Sequence, residues 1–241
     1  MNLSVVIPTY NEELAIEQNV KEVFSVLKAS SKNFEVLLVN DGSTDKTLEI
    51  VQKLTETEPN LKVVSYPKNR GRGYALRQGF SAASGEYIVA TESDLNWGSD
   101  IILRLFQELK NGNADLVIAS PHMKGGGMKN VPFSRYALSY LGNKIFSLGF
   151  NIPITMATGM TRGYKREILN KLALESDGKE LHPEILYKAL DIGARIKEIP
   201  AVLRWKKPAQ GEVIRKSHFK WRSIVSHFKL SAFLVKKRFL G

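Results

Sequence analysis

The sequence predicts an α/β protein with a mostly parallel, Rossmann-like sheet covered by helices on both faces. Five short runs rich in Val and Ile are typical of buried strands: LSVVI, FEVLLV, KVVSY, EYIVA and DLVIA. Segments with helical spacing separate them, and strands that alternate with helices favour parallel pairing. With 241 residues, of which 43% are hydrophobic, the chain is long enough to bury one large core.

Four helices are predicted between these strands. The first places Ile16, Val20 and Val23 on one apolar face. The predicted helices run from about Glu12 to Lys28, from near Thr44 as N-cap, from just after Gly73, and from about Ser99 to Lys110.

The second half is less regular. KGGGMKN, with three consecutive glycines, is expected to be a flexible loop; a helix follows over about 133–148, and NIPITMATGMTRG is rich in turn residues. HPEILYKAL predicts a short helix with Pro183 in its first turn, on which His182 and Glu184 are interpreted as a capped surface helix start rather than a catalytic base. RIKEIPAVLRW predicts a strand that Pro200 restricts to a sheet edge or a bulge.

The charge and the cysteine count limit the function classes. The formal net charge is +11 and the pI is about 9.7, which favours phosphorylated substrates, anionic lipid or nucleic acid. No nucleic-acid-binding motif accompanies the charge, so we expect no nucleic-acid partner. The chain has no cysteine, which excludes disulfides and thiolate metal sites.

Polar and acidic segments follow three of the predicted strands. PTYNE follows the first strand, NDGSTD the second, and ESD the fourth. Taken singly, each could be a turn that starts a helix. Ligands of parallel sheets bind beyond the carboxyl ends of the strands, so the three segments together favour a polar ligand.

The segments VVIPTYNEE, LLVNDGSTDKT, NRGRGYALRQGFSAASGEYI and ESD, in this order, resemble the inverting GT-A glycosyltransferases of family 2. Within that family the chain is similar to the polyprenyl-phosphate glycosyltransferases, the dolichol-phosphate mannose synthases among them. The resemblance is dense from Leu3 to about Leu109 and looser to about Ser217. NRGRGYALRQG is not a dinucleotide fingerprint, because Leu76 stands where a third Gly or Ala is needed.

The resemblance implies a nucleotide-sugar donor site. Asp41 is expected to accept hydrogen bonds from the base, because a carboxylate suits the N–H edge of uracil or guanine. The other residues implied to line this site are Pro8, Tyr10, Glu12, Val39, Arg72 and Ser93.

The Asp-X-Asp motif of the family falls on Glu92-Ser93-Asp94, which implies that Mg²⁺ or Mn²⁺ is held against the donor diphosphate. Residues i and i+2 of a strand face the same side, so Glu92 and Asp94 are expected to reach one hard cation. Asn96 is expected to add a neutral oxygen. Because Glu replaces the first Asp, Asp94 is the favoured direct ligand and catalytic residue.

A polyprenyl or dolichyl phosphate acceptor is already ionised near neutral pH, so it needs cations to hold it rather than a general base. Arg135 is the implied catalytic cation. The acceptor-phosphate residues are expected to be Lys124, Arg135, Ser139, Arg204, Arg215 and Lys216. SPHMK lacks an expected arginine, and Thr155 stands where many relatives have Asp. A family 2 enzyme with a saccharide acceptor and a non-catalytic nucleotide-sugar-binding homologue therefore remain alternatives.

No uninterrupted apolar stretch approaches the roughly 20 residues that cross a bilayer. From Phe219 onward the chain combines an apolar helical stripe with Arg and Lys, as in helices that lie in an anionic membrane interface. We expect a GT-A domain over 1–217 and a basic amphipathic helix over 218–241, in a cytoplasmic protein that is peripheral at the inner membrane face. A helix packed on the domain or on a partner is the alternative for the tail.

Overall fold

A computed structural model of the chain describes residues 2–30, 33–150 and 152–205. The strands are β1 (Leu3–Thr9), β2 (Phe34–Asp41), β3 (Leu61–Tyr66), β4 (Tyr87–Ala90), β5 (Leu116–Ser120), β6 (Gly127–Lys129), β7 (Arg162–Lys165), β8 (Ile196–Pro200) and β9 (Val202–Arg204). The helices are α1 (Ile16–Ser30), α2 (Thr47–Thr55), α3 (Arg72–Ala82), α4 (Asp100–Lys110), α5 (Phe133–Phe150), α6 (Arg166–Lys171) and α7 (Leu181–Asp191).

The central sheet has seven strands in the order β3-β2-β1-β4-β7-β5-β8. Only β7 runs antiparallel to its neighbours β4 and β5; the other pairs in the sheet are parallel. The predicted α/β class and mostly parallel sheet are confirmed. Strands β1, β2, β4 and β5 therefore all end at one edge of the sheet, the carboxyl edge.

Helix α3 packs closely on the middle of the sheet. A Cβ atom at Gly79 would lie 2.3 Å from Cγ1 of Val6 and 3.0 Å from Cγ2 of Val39, so glycine lets the helix approach β1 and β2. Arg72 is the first residue of this helix.

The start of the second helix and the glycine-rich loop differ from prediction. α2 begins at Thr47 rather than near Thr44, because the Asp45 carboxylate accepts a hydrogen bond from the Thr47 amide at 3.0 Å. KGGGMKN contains strand β6, whose backbone pairs with β9, so the prediction of a flexible loop is wrong.

The stretch NIPITMATGMTRG runs into a strand that the sequence did not predict. Strand β7 starts at Arg162 and lies between β4 and β5 in the sheet. The edge position predicted from Pro200 is confirmed, because Pro200 ends the edge strand β8.

The interpretation of α7 as a surface helix is wrong. His182 and Glu184 are 1% and 6% exposed. Both oxygens of Glu184 accept hydrogen bonds, from the amides of Glu175 and Ser176 at 2.9 Å. Burial alone would raise the pKa of Glu184, but the ammonium of Lys188 and the Ser176 donors outweigh it and lower the pKa. Glu184 therefore anchors the segment that leads into α7.

Within residues 2–30, 33–150 and 152–205, no helix is long and apolar enough to span a membrane. The predicted amphipathic helix over 218–241 lies outside the described residues.

Candidate active site

The loops that follow β1 and β2 bind each other at the carboxyl edge. The amide of Asn11 donates to Oγ of Ser43 at 2.9 Å, and the amide of Thr44 donates to Oδ1 of Asn11 at 2.7 Å. The amide of Glu12 donates to Oγ1 of Thr47 at 2.7 Å. PTYNE and NDGSTD thus form one hydrogen-bonded unit.

Asp41 lies at the end of β2 and is 4% exposed. Its carboxylate accepts hydrogen bonds from the Tyr66 hydroxyl at 2.9 Å, the Asn69 side chain at 2.8 Å, and the amides of Arg70 at 2.8 Å and Gly71 at 3.0 Å. Burial and the bond to Asp41 raise the pKa of Tyr66. Asp41 therefore holds residues 69–71 in place, and a bound base would share the carboxylate with these donors. Its contact with the base stays a prediction.

The remaining residues predicted for the nucleotide pocket occupy different environments. Pro8 and Glu12 are half-buried and Tyr10 is 37% exposed, all at the carboxyl edge. Val39 is fully buried, with its side chain against Gly79. A side-chain contact of Val39 with a nucleotide is therefore not supported, and any contact has to come from its backbone.

The acidic motif lies in a turn rather than on a strand. Strand β4 ends at Ala90, and Leu95 has a left-handed backbone with φ of 49°. Glu92 and Asp94 therefore lie outside a strand, and the prediction that strand alternation turns them to one side is wrong. The carbonyl of Ser93 accepts a hydrogen bond from the Asn19 side chain at 2.8 Å, which ties the turn to α1.

The two carboxylates of the motif have different partners. Oε1 of Glu92 lies 3.5 Å from Nη1 of Arg72, and Oε2 accepts a hydrogen bond from Nε1 of Trp97 at 3.1 Å. The Asp94 carboxylate accepts hydrogen bonds from the amide of Asn96 at 3.1 Å and from its side-chain nitrogen at 2.6 Å. Glu92 is thus held by a cation and an indole, whereas Asp94 and Asn96 form a separate oxygen-rich pair.

Asp94 and Asn96 suit a hard divalent cation that also binds substrate. No cluster of three or more His, Asp or Glu side chains able to hold a metal occurs in the part of the chain that the structure describes. Mg²⁺ typically uses one or two carboxylates and completes its shell with substrate phosphates and water. Asp94 with the side-chain oxygen of Asn96 supplies such a partial set.

Two of the cations predicted to bind the acceptor, Arg135 and Arg204, lie at the end of β9. The amide of Arg204 donates to the carbonyl of Asn96 at 2.7 Å, and the amide of Trp205 donates to the carbonyl of Lys129 at 3.0 Å. The guanidinium of Arg135, in the first turn of α5, lies 4.3 Å from the ring centroid of Trp205. The backbone at the end of β9 is therefore bonded to the acidic turn, and Arg135 contacts Trp205 at the same end.

The other predicted acceptor residues are spread along this side. Lys124 is exposed in the loop after β5, and Ser139 lies on α5. Arg215 and Lys216 lie outside the described residues.

His122 is a residue of this side that the sequence reasoning did not assign. Its Nε2 lies 3.1 Å from Oγ of Ser139, and its ring packs against Tyr136 and Tyr140. Burial lowers the pKa of His122, so the imidazole is neutral at neutral pH. A histidine directly after a strand end was the available signal.

Thr155 lacks the carboxylate that the resemblance expects, but Glu198 brings one to the same turn. The carboxylate of Glu198 accepts hydrogen bonds from the amides of Thr155 and Met156, both at 2.8 Å, and from the Thr155 hydroxyl at 2.9 Å. The Thr155 hydroxyl lies 2.6 Å from Oγ of Ser120 at the end of β5. Glu198 thus holds the Thr155 turn against the end of β5.

Solved structures with the same fold support the architecture. A mannosyltransferase from Pyrobaculum calidifontis, in complex with GDP-mannose and Mn²⁺, matches with a TM-score of 0.65 at 24% identity, over 96% of this chain and 64% of its own. Glucosyl-3-phosphoglycerate synthase from Mycobacterium tuberculosis, with Mn²⁺ and UDP-glucose, matches with a TM-score of 0.70 at 20% identity, over 98% and 78%.

Curated relatives are similar in sequence. A dolichol-phosphate mannosyltransferase from Pyrococcus furiosus is 33% identical over 220 residues, which is 88% of this chain but 58% of the relative. A polyprenol monophosphomannose synthase from Mycolicibacterium smegmatis is 26% identical over 90% of this chain and 84% of its own. The family model described as glycosyl transferase family 2 matches residues 4–173, which include the loops after β1, β2 and β4. By this match and the relative at 33% identity, the chain belongs to glycosyl transferase family 2.

Proposed function

We propose that the chain is a metal-dependent inverting glycosyltransferase that moves a hexose from a nucleotide-sugar of the GDP-mannose or UDP-glucose type to a polyprenyl or dolichyl phosphate. The observation that carries the proposal is the hydrogen bond from the Arg204 amide to the Asn96 carbonyl, because it joins the acidic turn to the end of β9, which carries Arg204 and contacts Arg135 through Trp205. The names of the relatives from Pyrococcus furiosus and Mycolicibacterium smegmatis support the same acceptor class.

On the donor side, Asp94 and Asn96 are the residues that would hold Mg²⁺ or Mn²⁺. The bound cation supplies charge neutralisation of the departing nucleoside diphosphate. The residues of the chain position the donor: Asp41 fixes residues 69–71, and Arg72 lies beside the acidic turn at 3.5 Å from Glu92. A positioned donor lowers the entropic cost of reaching the attack geometry.

On the acceptor side, the chain needs to hold a phosphate monoester near the anomeric carbon. Arg135 and Arg204 are exposed cations with that capacity, and Arg135 is oriented by its contact with Trp205. Attack of a phosphate oxygen opposite the departing diphosphate inverts the anomeric configuration in one displacement. Because the phosphate is already ionised at neutral pH, this step requires no general base.

Helix α5 supports peripheral association with an anionic, cytoplasmic membrane face. Phe133, Leu138, Leu141 and Leu148 are 81%, 52%, 58% and 74% exposed on this helix, which carries Arg135 in its first turn. Apolar side chains beside cations suit the boundary between headgroups and acyl chains. A polyprenyl phosphate in such a membrane would present its phosphate at the same boundary.

A saccharide acceptor is the second candidate, and His122 is the observation that favours it. Its imidazole is neutral at neutral pH and lies 3.1 Å from the Ser139 hydroxyl. A neutral imidazole can accept the proton that a sugar hydroxyl loses on attack. A non-catalytic homologue is the third candidate, because Arg72 and Trp97 already engage Glu92.

The test is incubation of the full chain with labelled GDP-mannose or UDP-glucose, Mn²⁺ or Mg²⁺, and either polyprenyl phosphate or a saccharide. We expect label in the lipid fraction only when metal is present, and none with Asp94→Asn. Transfer to saccharide that is lost in His122→Ala would favour the second candidate. Nucleotide-sugar binding without transfer to either acceptor would favour the third.

A further inference from the structure

The segment before α7 packs directly on the N-terminal end of α3. The amide of Tyr74 donates to the carbonyl of Asp177 at 3.0 Å, and Nη2 of Arg77 lies 2.9 Å from Oδ1 of Asp177. A Cβ atom at Gly73 would lie 2.5 Å from the carbonyl oxygen of Gly178, so only glycine fits at position 73. These contacts fix the backbone of the segment against the first turn of α3.

The next residue along the segment, Lys179, is thereby placed near Arg72. The side chain of Lys179 is exposed to solvent, although protein atoms pack beside it. Burial first and the charge of Arg72 second lower the pKa of Lys179, while Glu92 opposes the shift. Arg72 itself lies 3.5 Å from Glu92 at the acidic turn. Lys179 therefore lies near Arg72 and Glu92, two residues of the predicted donor site.

Charged groups of both signs act on Lys179. Its charged neighbours are the cations Arg72 and Arg135 and the carboxylates of Glu92 and Glu180. No hydrogen bond or ion pair within 4 Å joins its ammonium group to any residue in the described ranges. By contrast, Lys188 on the adjacent α7 lies 2.7 Å from Glu184. An ammonium group without such a partner, among other cations, suits an anionic ligand.

We infer that Lys179 and Arg72 form a phosphate-binding pair beside the acidic turn. The inference rests on the proposed function, and the ligand is a phosphate group of either the donor diphosphate or the lipid phosphate acceptor. A guanidinium binds two phosphate oxygens in a fork, while an ammonium group acts as a compact charge, so the pair is complementary.

The experiment compares Lys179→Gln, which removes the charge, with Lys179→Arg, which keeps it. Lys171→Gln is the matched control, because Lys171 is an exposed lysine on α6. With Mn²⁺ present, calorimetry gives the Kd values of GDP, GMP, UDP and UMP, and initial rates give the KM for polyprenyl phosphate.

We expect Lys179→Gln to weaken one ligand about tenfold, as for loss of a hydrogen bond to a charged group. Weaker GDP or UDP with unchanged GMP and UMP assigns the pair to the donor diphosphate. A raised KM for polyprenyl phosphate with unchanged nucleotide binding assigns it to the acceptor. Lys179→Arg should restore most of the loss in either case.

The inference is overturned if Lys179→Gln changes none of these constants, or if Lys171→Gln changes them as much. Nucleotide binding is measured without sugar transfer, so the phosphate-binding pair and the proposed function can fail independently. Wild-type chain that binds GDP or UDP more tightly than Lys179→Gln, but transfers no sugar, would retain the pair and remove the proposed function. If the wild-type chain transfers sugar but its Kd and KM values equal those of Lys179→Gln, the proposed function is retained and the phosphate-binding pair is excluded. If the wild-type chain binds no nucleotide and transfers no sugar, both claims fail.

Discussion

The donor side and the acceptor side of the carboxyl edge are built differently. On the donor side, the loops after β1 and β2 bind each other, and the Asp41 carboxylate accepts hydrogen bonds from four residues. On the acceptor side, Arg135 is exposed and stacked on Trp205, and α5 exposes large apolar side chains. The difference supports the proposal of a donor pocket preorganised by its own contacts and an acceptor surface of exposed cations and apolar side chains.

The largest effect is expected at the centre of the donor side. Asp94→Asn removes the negative charge that a divalent cation requires, so we expect kcat to fall by about a thousandfold or more. Glu92→Gln should cost about tenfold, because Arg72 and Trp97 already engage that carboxylate. Steady-state transfer rates with saturating Mn²⁺ measure both. Equal losses of kcat in the two variants would contradict the different roles expected for Asp94 and Glu92.

Asp41→Asn is expected to lower stability as well as donor binding. An amide at position 41 keeps one oxygen and replaces the other with an NH2 group, which faces either the Arg70 amide or the Gly71 amide; a buried donor is left unpaired, at a cost of about 2–4 kcal/mol. Urea unfolding measures the free energy, and calorimetry with GDP or UDP measures the affinity. The matched acceptor-side variant Ser139→Ala should change the free energy of unfolding by less than about 1 kcal/mol. If Ser139→Ala changed the free energy of unfolding more than Asp41→Asn, the proposed donor side would not be the more strongly preorganised of the two sides.

A polar network near the start of β2 provides a contrast, because changes there are expected to affect the stability of the fold and not sugar transfer. Glu35 is fully buried, and burial would raise its pKa, but hydrogen bonds from Lys62, Ser4 and Ser84 outweigh it and lower the pKa from 4.5 to about 2. The ionised form is thus favoured by folding, so its contribution is present above pH 4.5 and is lost as the pH falls towards 2.

We expect Glu35→Gln to be less stable than the wild type at pH 6 by on the order of 2 kcal/mol, with the difference shrinking between pH 4.5 and pH 2. Chemical unfolding at several pH values measures this, and Glu17→Gln, an exposed partner of Lys21, is the control. A difference that does not change over this pH range would show that folding does not lower the pKa of Glu35.

The smallest effect is expected for Arg135→Gln. The KM for polyprenyl phosphate should rise about tenfold because one charged contact to the phosphate is lost, while the Kd of GDP or UDP stays unchanged. Lys144→Gln, an exposed lysine further along α5, is the control. Weaker nucleotide binding in Arg135→Gln would place this residue on the donor side.

The sequence predicts the parallel part of the fold well because the Val- and Ile-rich runs are local signals. It missed β7 because Arg162–Lys165 is a polar four-residue segment whose strand geometry depends on pairing with β4 and β5. It missed β6 because glycines that permit many conformations also permit strand pairing.

The candidate site was predictable only where a motif is local. The acidic turn and Asp41 follow strand ends and could be identified from the sequence. Lys179 could not, because it lies more than a hundred residues after Arg72 and is brought near it only through packing of Asp177 and Gly178 on α3.

The most direct test of the proposed donor and acceptor sides is sugar transfer. It is measured in parallel with polyprenyl phosphate and with a saccharide as acceptor. With GDP-mannose or UDP-glucose and Mn²⁺, we expect metal-dependent transfer to polyprenyl phosphate, abolished in Asp94→Asn and recovered in Arg135→Gln at high acceptor concentration. Transfer to saccharide alone, or transfer to lipid phosphate that survives in Asp94→Asn, would contradict the proposed donor and acceptor sides.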